Sequence, residues 1–180
     1  MTTEDSIITN RREYTRVFAY IPMTYRLISK DEHPVIRSRI STQMAIPDCS
    51  MLPEVEEPLL NEWLRVINTK LDSIIRLIAI QNDGFHSLPF KAVHISANGV
   101  NFTTSELFQP GDILEMKVVL SSGQSAGLYL YLYGEVVKNE KQTSGYVTIL
   151  SFIKIDDKIR DEIVRFVFEK EREILREKRK

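Results

Sequence analysis

Two short polar runs hold the side chains with chemistry to offer: Arg11-Arg12-Glu13-Tyr14-Thr15-Arg16 and His94-Ile95-Ser96-Ala97-Asn98-Gly99. Arg12 and Arg16 have three residues between them, which sets two guanidinium groups about a helical turn apart or clusters them in a folded loop. Guanidinium forks bond phosphate bidentately and stack on flat rings, so the run suits a ligand that is both nucleotide and polyanion. The plainer reading is a solvated basic segment near a terminus. The second run adds a hydroxyl at Ser96 and a tight turn at Gly99 beside a strand. Together the runs point to a site for a small anionic ligand.

Catalysis finds little support in the same residues. His33, His86 and His94 with the distant Cys49 give no spacing typical of a zinc site. There is no Walker-type phosphate loop and no GxSxG elbow. His94 and Ser96 sit two apart on a strand and share a face, yet no orienting third group or oxyanion motif accompanies them. No catalytic residue, metal site or cofactor is expected.

Residues 88 to 104 read as two β-segments joined at Ser96 to Gly99, with Asn98-Gly99 as the hairpin signal. On these residues the chain resembles the PilZ domain family, the cyclic di-GMP receptors. The family carries RxxxR before its first barrel strand and [D/N]xSxxG at a later strand end. Arg12 and Arg16 match the first motif; Ser96 and Gly99 match the last two fixed positions of the second. The resemblance implies that the arginines, with Arg11 beside them, grip phosphates and stack on guanine, and that Ser96 reads a base edge. His94 stands where the family has Asp or Asn. An imidazole cannot copy a carboxylate's paired acceptors, and one lost bond costs about 1–3 kcal/mol, roughly five- to 150-fold in affinity. Binding is therefore expected to be weakened rather than abolished. The plainer reading of His94 is a strand residue half-packed against the barrel.

The elements that must position these runs are mostly strands. A first strand is expected near Thr15 to Ile28, an edge strand over 35 to 41 with Arg37 and Arg39 on its wet face, and further strands at Ile113 to Leu120 and Gly145 to Ile155. Phe108-Gln109-Pro110-Gly111-Asp112 is similar to the family's turn before a long strand. Residues 127 to 137 alternate with period two, Leu128, Leu130 and Leu132 on one face and Tyr129, Tyr131 and Tyr133 on the other. The tyrosines are either a partly exposed sheet face or a binding or dimer surface.

Two helices complete the pattern. From Leu59 to about Gln81, the residues Leu60, Leu64, Ile67, Leu71, Ile74 and Ile78 form an unbroken apolar seam at alternating spacings of four and three. Trp63, Val66, Ile75, Leu77 and Ile80 widen it. Such a helix either packs on its own barrel or builds an oligomer; its length and breadth favour assembly, from dimer to tetramer. Some PilZ-like proteins oligomerise through inserted helices of this kind. Asp156 and Asp157 open a C-terminal helix with Ile159, Ile163, Phe166 and Val167 as its apolar stripe; after Phe168 it continues as a mixed-charge, solvated segment with a basic end at Arg179 and Lys180.

Composition bounds the whole. At 180 residues, with 43% hydrophobic and 27% charged residues, the chain suffices for one packed domain with an embellishment. A net charge of -1 argues against a nucleic-acid-polymer binder. The single Cys49 suits a reducing cytoplasm, and neither a signal peptide nor a membrane-inserted helix is expected. The reading is mainly β with helices: one PilZ-like antiparallel β-barrel over 1–180, with 47–84 a linker plus long helix inserted between the first strand and the rest of the barrel. Its expected role is a non-catalytic cyclic di-GMP receptor acting on an unidentified downstream protein. The alternative is a degenerate adaptor, blind to the ligand, in motility, adhesion or secretion machinery.

Overall fold

The computed structural model of the chain describes residues 15–41, 56–121, 127–143 and 145–178. Alternation builds its first strand. In β1 (Val17–Leu27) the side chains of Val17, Ala19, Ile21 and Met23 are buried, while Phe18 and Tyr20 between them face outward. β2 (Arg39–Ile40), β3 (Phe90–Ser96), β4 (Gly99–Thr104), β5 (Ile113–Leu120), β6 (Leu128–Gln142) and β7 (Gly145–Ile153) follow. The order β6-β5-β1-β3-β4-β7 closes on itself through a β6–β7 pairing, giving a six-stranded antiparallel barrel, with β2 paired to the outside of β6. Closure leaves these six strands without an open edge.

The barrel interior is filled by Met23, Leu114, Met116, Leu130, Leu132 and Leu150, among others. One end is stoppered by α2 (Asp157–Glu177), whose Ile159, Ile163, Phe166 and Val167 join the same core. Asp156 caps that helix as its spacing predicts, its carboxylate accepting from the Ile159 N–H at 2.9 Å.

Three expectations are corrected. The tyrosines of β6 do lie opposite the leucines, but Tyr131 and Tyr133 are buried. Phe85 packs edge-on against Tyr129 and Tyr131 at 5.6 and 5.3 Å, while Ile28 and Ile36 cover Tyr133. The stripe is thus the floor of two satellite clusters, not a surface for partners. The edge strand shrinks to two residues; Arg37 lies before it, and Arg39 stacks its guanidinium over the Tyr131 ring at 3.9 Å rather than facing water. The β3–β4 turn is centred on Ala97-Asn98, and Gly99 is already the first residue of β4.

α1 (Pro58–Asn82) starts one residue before the apolar pattern, with proline in the first turn. It ends at Asp83 followed by Gly84 at φ 74, the left-handed position that glycine takes without strain. At about 1.5 Å per residue, 25 residues span roughly 37 Å. No residue of α1 is buried. Its C-terminal end is tied to the barrel: the Ser41 hydroxyl donates to the Asp83 carboxylate, the Lys117 ammonium donates to the Asp83 carbonyl at 2.7 Å, and Ile80 packs on the Phe85–Tyr131 cluster. No helix among the described residues is long and apolar enough to cross a membrane.

Candidate functional site

β1 enters the barrel at Val17, which faces inward, so Arg16 stands at the mouth of the outer face and Phe18 follows it there. Register then decides the neighbours. Phe18 pairs with His94 on β3, His94 with Asn101 on β4, and Asn101 with Ile149 on β7. These four residues make one tier across the outside of the barrel. Beyond it, Tyr20 pairs with Ala92 and Thr103 with Val147.

A depression opens at the first tier, lined by Arg16, His94, Gly99, Val100, Asn101, Ile149 and Leu150. Two residues from the separate polar runs, Arg16 and His94, thereby meet across 78 positions of sequence. His94 is exposed, its ring tilted on Phe18 at 5.2 Å between centroids. Phe18 in turn meets Tyr20 edge-on at 5.4 Å, and these rings are 46% and 67% exposed. A cation, an imidazole, a carboxamide and exposed aromatic faces on one surface can bond an anion and stack on a planar base.

Ser96 is 5% exposed, and its hydroxyl donates to the Gly99 carbonyl at 3.3 Å within the turn. Gly99 does not adopt a left-handed φ; a Cβ there would collide with the Leu150 carbonyl of β7. Glycine is required because β4 and β7 approach closely, a reason different from the turn conformation expected. Arg11 and Arg12 lie outside the described residues.

Sequence reasoning overlooked Asn101, Phe18 and Arg160. The first two were accessible from alternation: Phe18 shares Arg16's face of β1, and Asn101 sits opposite His94 across the hairpin. Arg160, on α2, bonds the Ala97-Asn98 turn, a pairing of distant segments that no local pattern encodes. Among the described residues no cluster of three or more His, Cys, Asp or Glu side chains could hold a metal ion.

Electrostatic perturbation lies elsewhere, around β5 and β6. Burial alone would raise the Glu115 carboxyl, but hydrogen bonds from Arg26 at 2.9 Å and from the Tyr133 hydroxyl at 2.8 Å hold it below its ordinary range. Burial, reinforced by Asp83, pushes the Tyr131 phenol up to about 12. Glu115 ties β5 to β1 and β6, and Tyr131 meets Asp83 at the end of α1; neither lines the depression.

Residues 75–169 match the family model of the PilZ domain. That stretch includes the 94–99 run and begins after Arg16. No curated protein gives a significant match. Among solved structures, a pathogenic protein from Xanthomonas campestris, described as a tetrameric PilZ domain self-assembled via an unusual helical bundle, is similar over 91% of each chain, with 18% identity and a TM-score of 0.56. At that identity the likeness speaks to the fold.

Proposed function

The chain belongs to the PilZ domain family, and from that premise we propose that it is a non-catalytic receptor for cyclic di-GMP which relays the ligand's level to a protein partner as an oligomer. The observation that carries the reading is the meeting of Arg16, His94, Gly99 and Asn101 around one depression on the outer barrel face. Arg12 and Arg16 hold the phosphates and stack on guanine, Arg11 adds charge, and His94 and Ser96 read base edges beside Gly99. Charge-assisted bonds from the arginines supply the larger share of the affinity. The N-terminal run closes over the ligand and changes the surface that a partner sees.

Assembly is proposed through α1, with Leu60, Leu64, Ile67, Leu71, Ile74 and Ile78 as the seam. Among the described residues nothing buries that seam, and the Xanthomonas campestris protein of similar fold is described as self-assembled via a helical bundle. Apolar residues beside the seam at Trp63, Ile75 and Leu77 suit a bundle of more than two helices, in which each helix is covered on a broader face.

A second reading, an adaptor that has lost ligand response, is favoured by His94 in place of the family's acidic or amide residue. One titration separates the two. Calorimetry of cyclic di-GMP into the wild-type chain should show saturable heat that the Arg12→Ala/Arg16→Ala variant loses, and His94→Asp should tighten binding. Heat unchanged by the double substitution, or absent from every protein, would sink the receptor reading and leave the adaptor.

A further inference from the structure

We propose that Arg160 is a positioning residue of the ligand site: it sets the Ser96–Gly99 turn from the first turns of α2. The inference rests on the receptor reading for its consequence in binding, but its structural half stands on this chain's own bonds. Arg160 Nη1 donates to the Ala97 carbonyl at 3.2 Å and to the Asn98 side-chain oxygen at 2.6 Å. On the opposite side of the turn, the Phe152 N–H of β7 donates to the Asn98 carbonyl at 2.9 Å. Asn98 is thus gripped by two elements, and Ser96 and Gly99 flank the gripped pair.

The base of the clamp is rigid. Ile159, adjacent to Arg160, and Ile163, one turn on, are 1% and 0% exposed in the barrel core, so the guanidinium is carried by a helix that cannot shift without opening that core. A two-residue turn left to itself samples several conformations, and a ligand then bears the cost of selecting one. A guanidinium bonded to a main-chain carbonyl and a carboxamide at once fixes both the backbone and the side chain of the turn. Arg160 touches the turn rather than the depression, whose lining does not include it.

The test uses the full chain with two readouts. On the free protein, amide hydrogen exchange at residues 97–99 should quicken in Arg160→Ala, while the exchange of β5 and β6 stays as in wild type. In calorimetry with cyclic di-GMP, Arg160→Ala should weaken binding about tenfold, the loss of a charge-assisted bond. Arg160→Lys, which retains a cation able to donate to a carbonyl, should recover to within about threefold of wild type. Adding Asn98→Ala to Arg160→Ala should cost no more than about a further twofold, because the two substitutions break one link. Unchanged exchange at 97–99 overturns the proposal. So does wild-type affinity in Arg160→Ala, or a lysine variant no better than the alanine. If the wild-type chain gives no heat, the receptor reading fails by itself, and exchange at the turn still decides whether Arg160 sets it.

Discussion

Gly99 illustrates how one residue type can answer a need different from the one its motif advertises. Glycine after asparagine reads as a left-handed turn position, but here the turn falls on Ala97-Asn98 and Gly99 opens β4 against the Leu150 carbonyl. A methyl group at that place forces two paired strands apart. Gly99→Ala should therefore destabilise the free protein by about 1–3 kcal/mol, the usual penalty of overpacking, visible as a lower denaturation midpoint without ligand. Unaltered stability would show that the β4–β7 approach can relax. His94 makes the complementary point. It lines the depression, exposed and tilted on Phe18, so its departure from the family pattern falls where ligand chemistry is proposed and not in the packing of the barrel.

At the scale of elements, α1 and α2 spend similar amphipathic patterns in opposite ways. The stripe of α2 is consumed by the barrel end, whereas Leu64 and Leu71 of α1 remain 40% and 49% exposed. An apolar seam left in water has a driving force of about 25 cal/mol per Å2 to find cover. The α1 surface is anchored at its C-terminal end by Asp83, Ser41, Lys117 and Phe85. Leu64→Asp/Leu71→Asp should reduce the mass seen by light scattering to that of one chain and leave the barrel's near-ultraviolet signature intact. A wild-type mass equal to one chain would defeat assembly through this helix.

For the whole molecule, the hydrogen-bonded Glu115 carboxyl and the buried Tyr131 phenol make stability depend on pH at both extremes. Glu115 has a depressed pKa when folded, so its contribution is present above the ordinary carboxylate value of 4.5 and is lost as pH falls below it toward the folded value. Tyr131 has a raised pKa when folded, so its contribution is complete below pH 10 and is lost as pH climbs from 10 through about 12. Denaturant midpoints measured across pH should decline on both limbs. Glu115→Gln should flatten the acid limb and Tyr131→Phe the alkaline one; limbs unmoved by these substitutions would place the titrating groups elsewhere.

Periodicity by itself marked the two faces of β6 and the apolar stripes of both helices, because a strand's two faces and a helix's stripe are encoded within a few neighbouring residues. The motif spacing likewise singles out Arg16, His94 and Gly99, which line one depression. What only tertiary structure decided depends on which segments meet. The tyrosines of β6 alternate like a surface, yet Phe85, Ile28 and Ile36 arrive from elsewhere in the chain to cover them. Arg16, His94 and Asn101 become neighbours through the pairing of β1, β3 and β4, and Arg160 reaches the 97–98 turn only because α2 stoppers that end of the barrel. Burial and cross-strand register are properties of the closed barrel, and no local stretch of sequence contains them.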